Sequence, residues 1–203
     1  MGAMNIATQT TNHAAFVEQQ LEESAQLKRK LFSMSGEIVG LAEDMYNCLK
    51  NGGRVFFCGN GGAAGDSQHL AAELVGMFLK DRRALAGIAL TVNPSVVTAV
   101  SNDWSFEYVF ARQVEALMTS KDLLICISAG GNSPNLIRAI EAARKIGART
   151  AAFLGKGGGK SATMVDRALV VPSNFTPRIQ EAHITIGHIA CTLVEEWIVA
   201  EEA

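Results

Sequence analysis

The stretch Val55-Phe56-Phe57-Cys58-Gly59-Asn60-Gly61-Gly62-Ala63-Ala64 decides the fold. Its first four residues are apolar with no polar alternation, which predicts a short strand buried on both faces. Strands of that kind belong to parallel sheets with helices on each side. The glycines that follow let the backbone turn tightly and come close to an anion. The helix expected next, over residues 66–78, points its N-terminal N–H groups at the same place.

The alternation continues towards the C-terminus. Residues 87–90, 123–127, 150–154 and 168–171 read as four further strands. Helical stretches lie between them at residues 95–118 and 134–146, and a last helix runs from about Thr176 to near the end. Towards the N-terminus, Phe16, Val17, Leu21, Ala25, Leu27 and Leu31 follow helical spacing loosely over residues 14–32. Ser35 is the expected N-cap of a second helix with Ile38, Leu41, Met45 and Leu49 inward, ended by Gly52-Gly53. The expectation is one α/β domain over residues 14–203, a three-layer sandwich around a five-stranded, mostly parallel, flavodoxin-like or Rossmann-like sheet. Its core spans residues 54–203, with an N-terminal helical extension at 14–50. Met1-Gly2-Ala3 reads as a cloning remnant.

A chain of 203 residues suffices for one such domain. A net charge of −2 offers no electrostatic footprint for nucleic acid or an anionic membrane, so neither is expected as a partner. An anionic ligand would have to be met by local donors. No apolar run approaches the ~18 residues of a membrane span, and no basic-then-apolar leader opens the chain. The four cysteines, Cys48, Cys58, Cys126 and Cys191, form no CxxC pair and read as buried reduced thiols. A cytoplasmic protein is therefore expected.

Ligands of such sheets bind outside the carboxyl ends of the strands, which singles out three loops. Residues 59–64 formally match the dinucleotide pattern G-x-G-x-x-A. That pattern wants an acidic residue after the second strand, and Leu90-Thr91-Val92-Asn93 supplies none. Ser128-Ala129-Gly130-Gly131-Asn132-Ser133-Pro134 brings two hydroxyls and small residues to a helix start, which suits a phosphate but equally an ordinary capped turn. Gly155-Lys156-Gly157-Gly158-Gly159-Lys160-Ser161 nearly spells a P-loop, but Leu154 stands where the first glycine belongs. A flexible surface loop is expected there.

His69 and Glu73 share a helical face at i, i+4, beside the glycine loop. Such a pair is often a mere surface contact. The last helix carries Gln180, Glu181, His183 and His188. Gln180 and His188 stand about 12 Å apart along it, so one metal held by both would need a neighbouring subunit or a bent helix. His183 reads as a structural hydrogen-bonding histidine. An imidazole and a carboxylate facing a sugar phosphate suit proton transfer next to a carbonyl, and His, Glu, Gln and His are also acceptable zinc ligands.

Five segments together resemble the SIS (sugar isomerase) domain, and within it the phosphoheptose isomerases. They are Cys58-Gly59-Asn60-Gly61-Gly62; Asp66-Ser67-Gln68-His69-Leu70-Ala71-Ala72-Glu73-Leu74; Ser101-Asn102-Asp103; the loop at 128–133; and Arg178-Ile179-Gln180-Glu181-Ala182-His183 with His188. The resemblance implies interconversion of sedoheptulose 7-phosphate and D-glycero-D-manno-heptose 7-phosphate through an enediol, an early step towards lipopolysaccharide heptose. It implies Glu73 as catalytic base and His188 as its acid/base partner. It implies one zinc ion per subunit on His69, Glu73, Gln180 and His188. Substrate contacts would come from Asn60, Gly61, Gly62, Glu73, Asn102, Asp103, Ser128, Ala129, Gly130, Ser133 and Gln180. It implies a homotetramer assembled through the helices at 14–50, with active sites between subunits.

The sequence departs from that family's usual pattern in three places. Ala63 replaces a serine, Ala129 and Gly130 replace two hydroxyl residues, and Pro177 precedes the Arg-Ile-Gln stretch. Each hydroxyl lost from a charged phosphate would weaken binding by about 1.5–3 kcal/mol. Two other readings stand beside this one. One is a non-catalytic SIS-domain protein that binds a partner, as replication-initiation regulators do; such relatives lack the glutamate at 73 and the histidine at 188. The other is an isomerase of a different sugar phosphate.

Overall fold

A computed structural model describes residues 12–202, and the expected cloning remnant Met1-Gly2-Ala3 lies outside the described residues. Five strands, β1 (Val55–Gly59), β2 (Gly87–Ala89), β3 (Leu123–Ser128), β4 (Arg149–Leu154) and β5 (Arg167–Val170), form one sheet in the order β2-β1-β3-β4-β5. All four pairings are parallel. Parallel neighbours need crossovers, and the helices provide three of the four. They are α1 (His13–Lys30), α2 (Ser35–Lys50), α3 (Gly62–Val75), α4 (Pro94–Asp103), α5 (Ala111–Leu117), α6 (Pro134–Ile146) and α7 (Thr176–Glu202). A 3₁₀ turn at Lys160–Thr163 serves between β4 and β5.

Successive strand residues point to opposite faces, so each strand feeds two cores. Val55 and Phe57, Leu123, Ile125 and Ile127, and Ala151 and Phe153 pack on the side of α2, α3 and α7. Phe56 and Cys58, Leu124 and Cys126, and Ala152 and Leu154 pack on the side of α4, α5 and α6. Phe56, Phe57 and Phe153 are fully buried, each contributing about 1.5–3 kcal/mol of apolar burial. This is the three-layer sandwich expected from the continuous apolar strands. The strand order reverses between β1 and β3, and a ligand crevice opens outside the carboxyl ends at such a reversal. Residue 59 ends β1 there and Ser128 ends β3.

Several local expectations are corrected. Ser35 does not cap α2: the helix continues a 3₁₀ turn at Leu31–Met34, and the Ser35 hydroxyl donates back to the Phe32 carbonyl at 2.8 Å. α3 starts four residues earlier than the apolar spacing suggested. Gly61, at φ +58°, turns the chain so sharply that Gly62 is already helical. α3 also stops at Val75 rather than Phe78. The stretch 95–118 breaks into α4, a 3₁₀ turn at Phe106–Tyr108 and α5, because the Ser105 hydroxyl accepts from the Glu107 N–H and starts a new turn. The loop after β4 is tied down. Ser161 Oγ donates to the Gly131 carbonyl at 2.9 Å, and the Lys160 N–H donates to Asn132 Oδ1 at 2.9 Å.

Candidate functional site

Two groups of side chains meet the expected chemistry. The first lines a cavity of ≈ 270 Å³ at the β1/β3 reversal, bounded by Asn60, Ser128, Ala129, Gly130, Ser133 and Gln180. Backbone geometry builds it. Gly131, at φ +64°, packs so closely on the β4 loop that a Cβ would stand 1.9 Å from the Gly158 carbonyl oxygen. A Cβ on Gly62 would stand 2.9 Å from Gln180 Nε2, so residue 62 lacks a side chain where Gln180 enters.

The polar groups of the cavity divide their duties. Asn60 and Asn135 exchange two amide hydrogen bonds, each 2.9 Å, which lock the β1 loop to α6. Ser128 Oγ accepts from the Gly131 N–H at 3.1 Å, leaving its own proton to donate. Ser133 sits at the N-cap of α6 but its hydroxyl makes no cap bond. Gly130 faces open space. His183 borders the cavity from behind with its Nε2 3.1 Å from the Leu154 carbonyl. Burial pushes its pKa down to about 4, partly opposed by that carbonyl, so the ring is neutral and Nε2 donates. This is the structural role expected for it. Its Nδ1 is buried without a partner.

The second group is His69, Glu73 and His188. The i, i+4 spacing on α3 sets His69 Nε2 2.7 Å from Glu73 Oε1, and His188 on α7 brings its Nε2 to 3.2 Å from the same His69 nitrogen. One donor atom from each lies within 4.8 Å of the other two. Donors about 2.0–2.2 Å from one tetrahedral zinc are themselves about 3.4 Å apart, so two imidazoles and a carboxylate at these spacings fit that ion. Gln180, the fourth ligand implied by resemblance, lines the cavity and approaches Gly62.

Asn102 and Asp103 end α4, exposed and bonded to each other at 2.9 Å, and do not line the cavity. His69 and Glu73 follow Gly62 by seven and eleven residues on α3, about 10 and 16 Å along the axis.

Two contributors escaped the sequence reading. Asp66, one helical turn before His69, has a buried Oδ2 without a partner. Burial raises its pKa, while His69 and His188 pull it back. The i, i+3 spacing to His69 was the signal that could have found it. Gly187 is the other: a Cβ there would stand 2.5 Å from Leu70 Cδ2, where α7 crosses α3 beside the cluster. Only the crossing reveals it.

The SIS domain model matches residues 19–155. The phosphoheptose isomerase of Clostridium acetobutylicum is 47% identical over 92% of this chain and 97% of its own length. That of Nitratiruptor sp. is 56% identical over 73% of this chain and 79% of its own. The structure of the phosphoheptose isomerase from Neisseria gonorrhoeae superposes with a TM-score of 0.87 at 40% identity, covering 91% of this chain and all of that one. The Francisella tularensis structure gives 0.88 at 34% identity, covering 92% of this chain and all of that one.

Proposed function

The chain belongs to the SIS-domain family, among its phosphoheptose isomerases, and we propose that it converts sedoheptulose 7-phosphate to D-glycero-D-manno-heptose 7-phosphate. It is a sugar-phosphate isomerase. The observation that carries the assignment of roles is the convergence of Glu73 and His188 on His69.

Aldose–ketose exchange moves one proton between adjacent carbons. The Glu73 carboxylate takes the proton from C1 of the ketose, leaving an enediol, and returns it to C2. His188 carries the proton exchanged between the two oxygens. Zinc, bound to His69, Glu73 and His188 with Gln180 as the fourth ligand, would polarise the carbonyl and acidify that C–H bond. The phosphate belongs in the cavity, where the Ser128 and Ser133 hydroxyls and the start of α6 meet it. A non-catalytic partner-binding protein has no use for a base and an acid/base imidazole brought together.

The assembly we propose is a homotetramer with active sites between subunits. Supporting this, α1 exposes Phe16, Val17 and Leu21, and Phe32 beyond it is 78% exposed. Asn102 and Asp103, outside the cavity of their own chain, would then be contributed to a neighbour's substrate. A cytoplasmic role in making heptose for lipopolysaccharide fits the four free thiols. No helix among the described residues is long and apolar enough to cross a membrane. Incubation of the purified protein with sedoheptulose 7-phosphate, followed by NMR, tests the function: the aldose anomeric signal grows if the reading holds, and its absence with zinc supplied refutes it.

A further inference from the structure

We propose that Arg82 and Glu195 are positioning residues that set the separation of Glu73 from His188; this rests on the isomerase reading above. The two side chains are 1% and 2% exposed, and Arg82 Nε lies 3.3 Å from Glu195 Oε1. Neither of those two atoms makes a hydrogen bond, so the contact is one of charge alone. A buried ion pair costs desolvation that apolar side chains of the same volume avoid, so stability by itself gives little reason for it.

What the pair holds is specific. One Arg82 nitrogen donates to the backbone carbonyl of Glu73 itself at 2.8 Å, and another donates to the Leu74 carbonyl at 3.0 Å. These are last-turn carbonyls of α3, which lack onward helical donors and favour a cation. Glu195 Oε2 accepts the N–H groups of Leu79 at 2.9 Å and Lys80 at 3.1 Å. Glu195 also lies seven residues after His188 on α7, on the same helical face. The path therefore runs from the residue bearing the carboxylate, through Arg82 and Glu195, to the helix bearing the imidazole. The segment from Gly76 to Ala86, which joins α3 to β2, is held in part by the same two side chains.

The test is the double variant Arg82→Met/Glu195→Leu, which removes both buried charges together and so avoids stranding either one. Three readouts apply: cooperative unfolding, zinc affinity of the metal-free protein, and the ring-to-ring NOE between His69 and His188, whose centroids lie 4.9 Å apart. The expected result is a folded protein with that NOE lost, zinc bound roughly 10–100-fold more weakly, and kcat lowered with KM nearly unchanged. A folded double variant that keeps the NOE and the wild-type zinc affinity overturns the proposal. Should the double variant not fold, Arg82→Lys decides: it keeps the charge but not the fork across two carbonyls. Unaltered NOE and zinc affinity in Arg82→Lys likewise overturn it. If the wild type fails to isomerise the heptulose phosphate while the NOE responds as stated, the isomerase reading falls and the clamp stands.

Discussion

Gly187 and Leu70 meet where α7 crosses α3, and a single Cβ on residue 187 would stand 2.5 Å from Leu70 Cδ2. Leu70 is 1% exposed and has nowhere to retreat. The absence of a side chain at 187 thus lets His188, the next residue, reach His69. Gly187→Ala should force the helices apart and cost about 1–3 kcal/mol by overpacking. Denaturant unfolding reads the stability loss, and kcat should fall with it. Wild-type stability and kcat in this variant would remove the crossing from the account.

The β3 loop has room for a hydroxyl it lacks. Nothing lies within 4 Å of a Cβ built on Gly130. Gly130→Ser should therefore fold normally and add one donor to the phosphate site, worth about 1.5 kcal/mol, or roughly a tenfold lower KM for the sugar phosphate with kcat little changed. Steady-state kinetics settles it; a KM that stays put or rises places the phosphate elsewhere.

His183 makes stability depend on pH. Its folded pKa, about 4, lies below the ordinary value of 6.5. Between those two values the unfolded chain binds a proton that the folded one refuses. Its contribution is therefore complete above pH 6.5 and is lost as pH falls towards 4, in all by roughly 3 kcal/mol. Denaturation midpoints measured from pH 7 to pH 4.5 should fall, and His183→Gln should flatten the slope. An equal slope in the variant contradicts the assignment.

Active sites shared between subunits predict complementation. A Glu73→Gln subunit keeps its phosphate cavity, and a subunit carrying Ser128→Ala with Ser133→Ala keeps its Glu73–His188 pair. Each homo-oligomer should be severely impaired, whereas co-refolded mixtures should recover activity at hybrid sites that draw both parts intact. Mixtures no more active than the mean of their components would confine the site to one chain.

Much of the fold was readable because strands buried on both faces must be apolar at every position, as Val55 to Cys58 and residues 123–127 are. Helix existence followed from the same patterning, but not helix ends. The start of α3 depends on a backbone angle at Gly61, and the break between α4 and α5 on a hydroxyl at Ser105. At the site, the spacing of His69 and Glu73 is a property of one helix and was legible. The contact with His188 requires α3 to cross α7, which no local pattern encodes. Arg82 and Glu195 look like surface charges in sequence, since burial of a charge is decided by tertiary packing. The loop at 155–161 looked free for the same reason: its anchor, Gly131, lies far away in the chain.

The most direct test of the account is proton exchange at the substrate. With sedoheptulose 7-phosphate in D₂O, the wild type should form the aldose with deuterium at C2, and Glu73→Gln, folded and zinc-loaded, should form no detectable product over the same period. A Glu73→Gln protein that delivers the deuterated aldose at the wild-type rate would contradict the central claim that this carboxylate moves the proton.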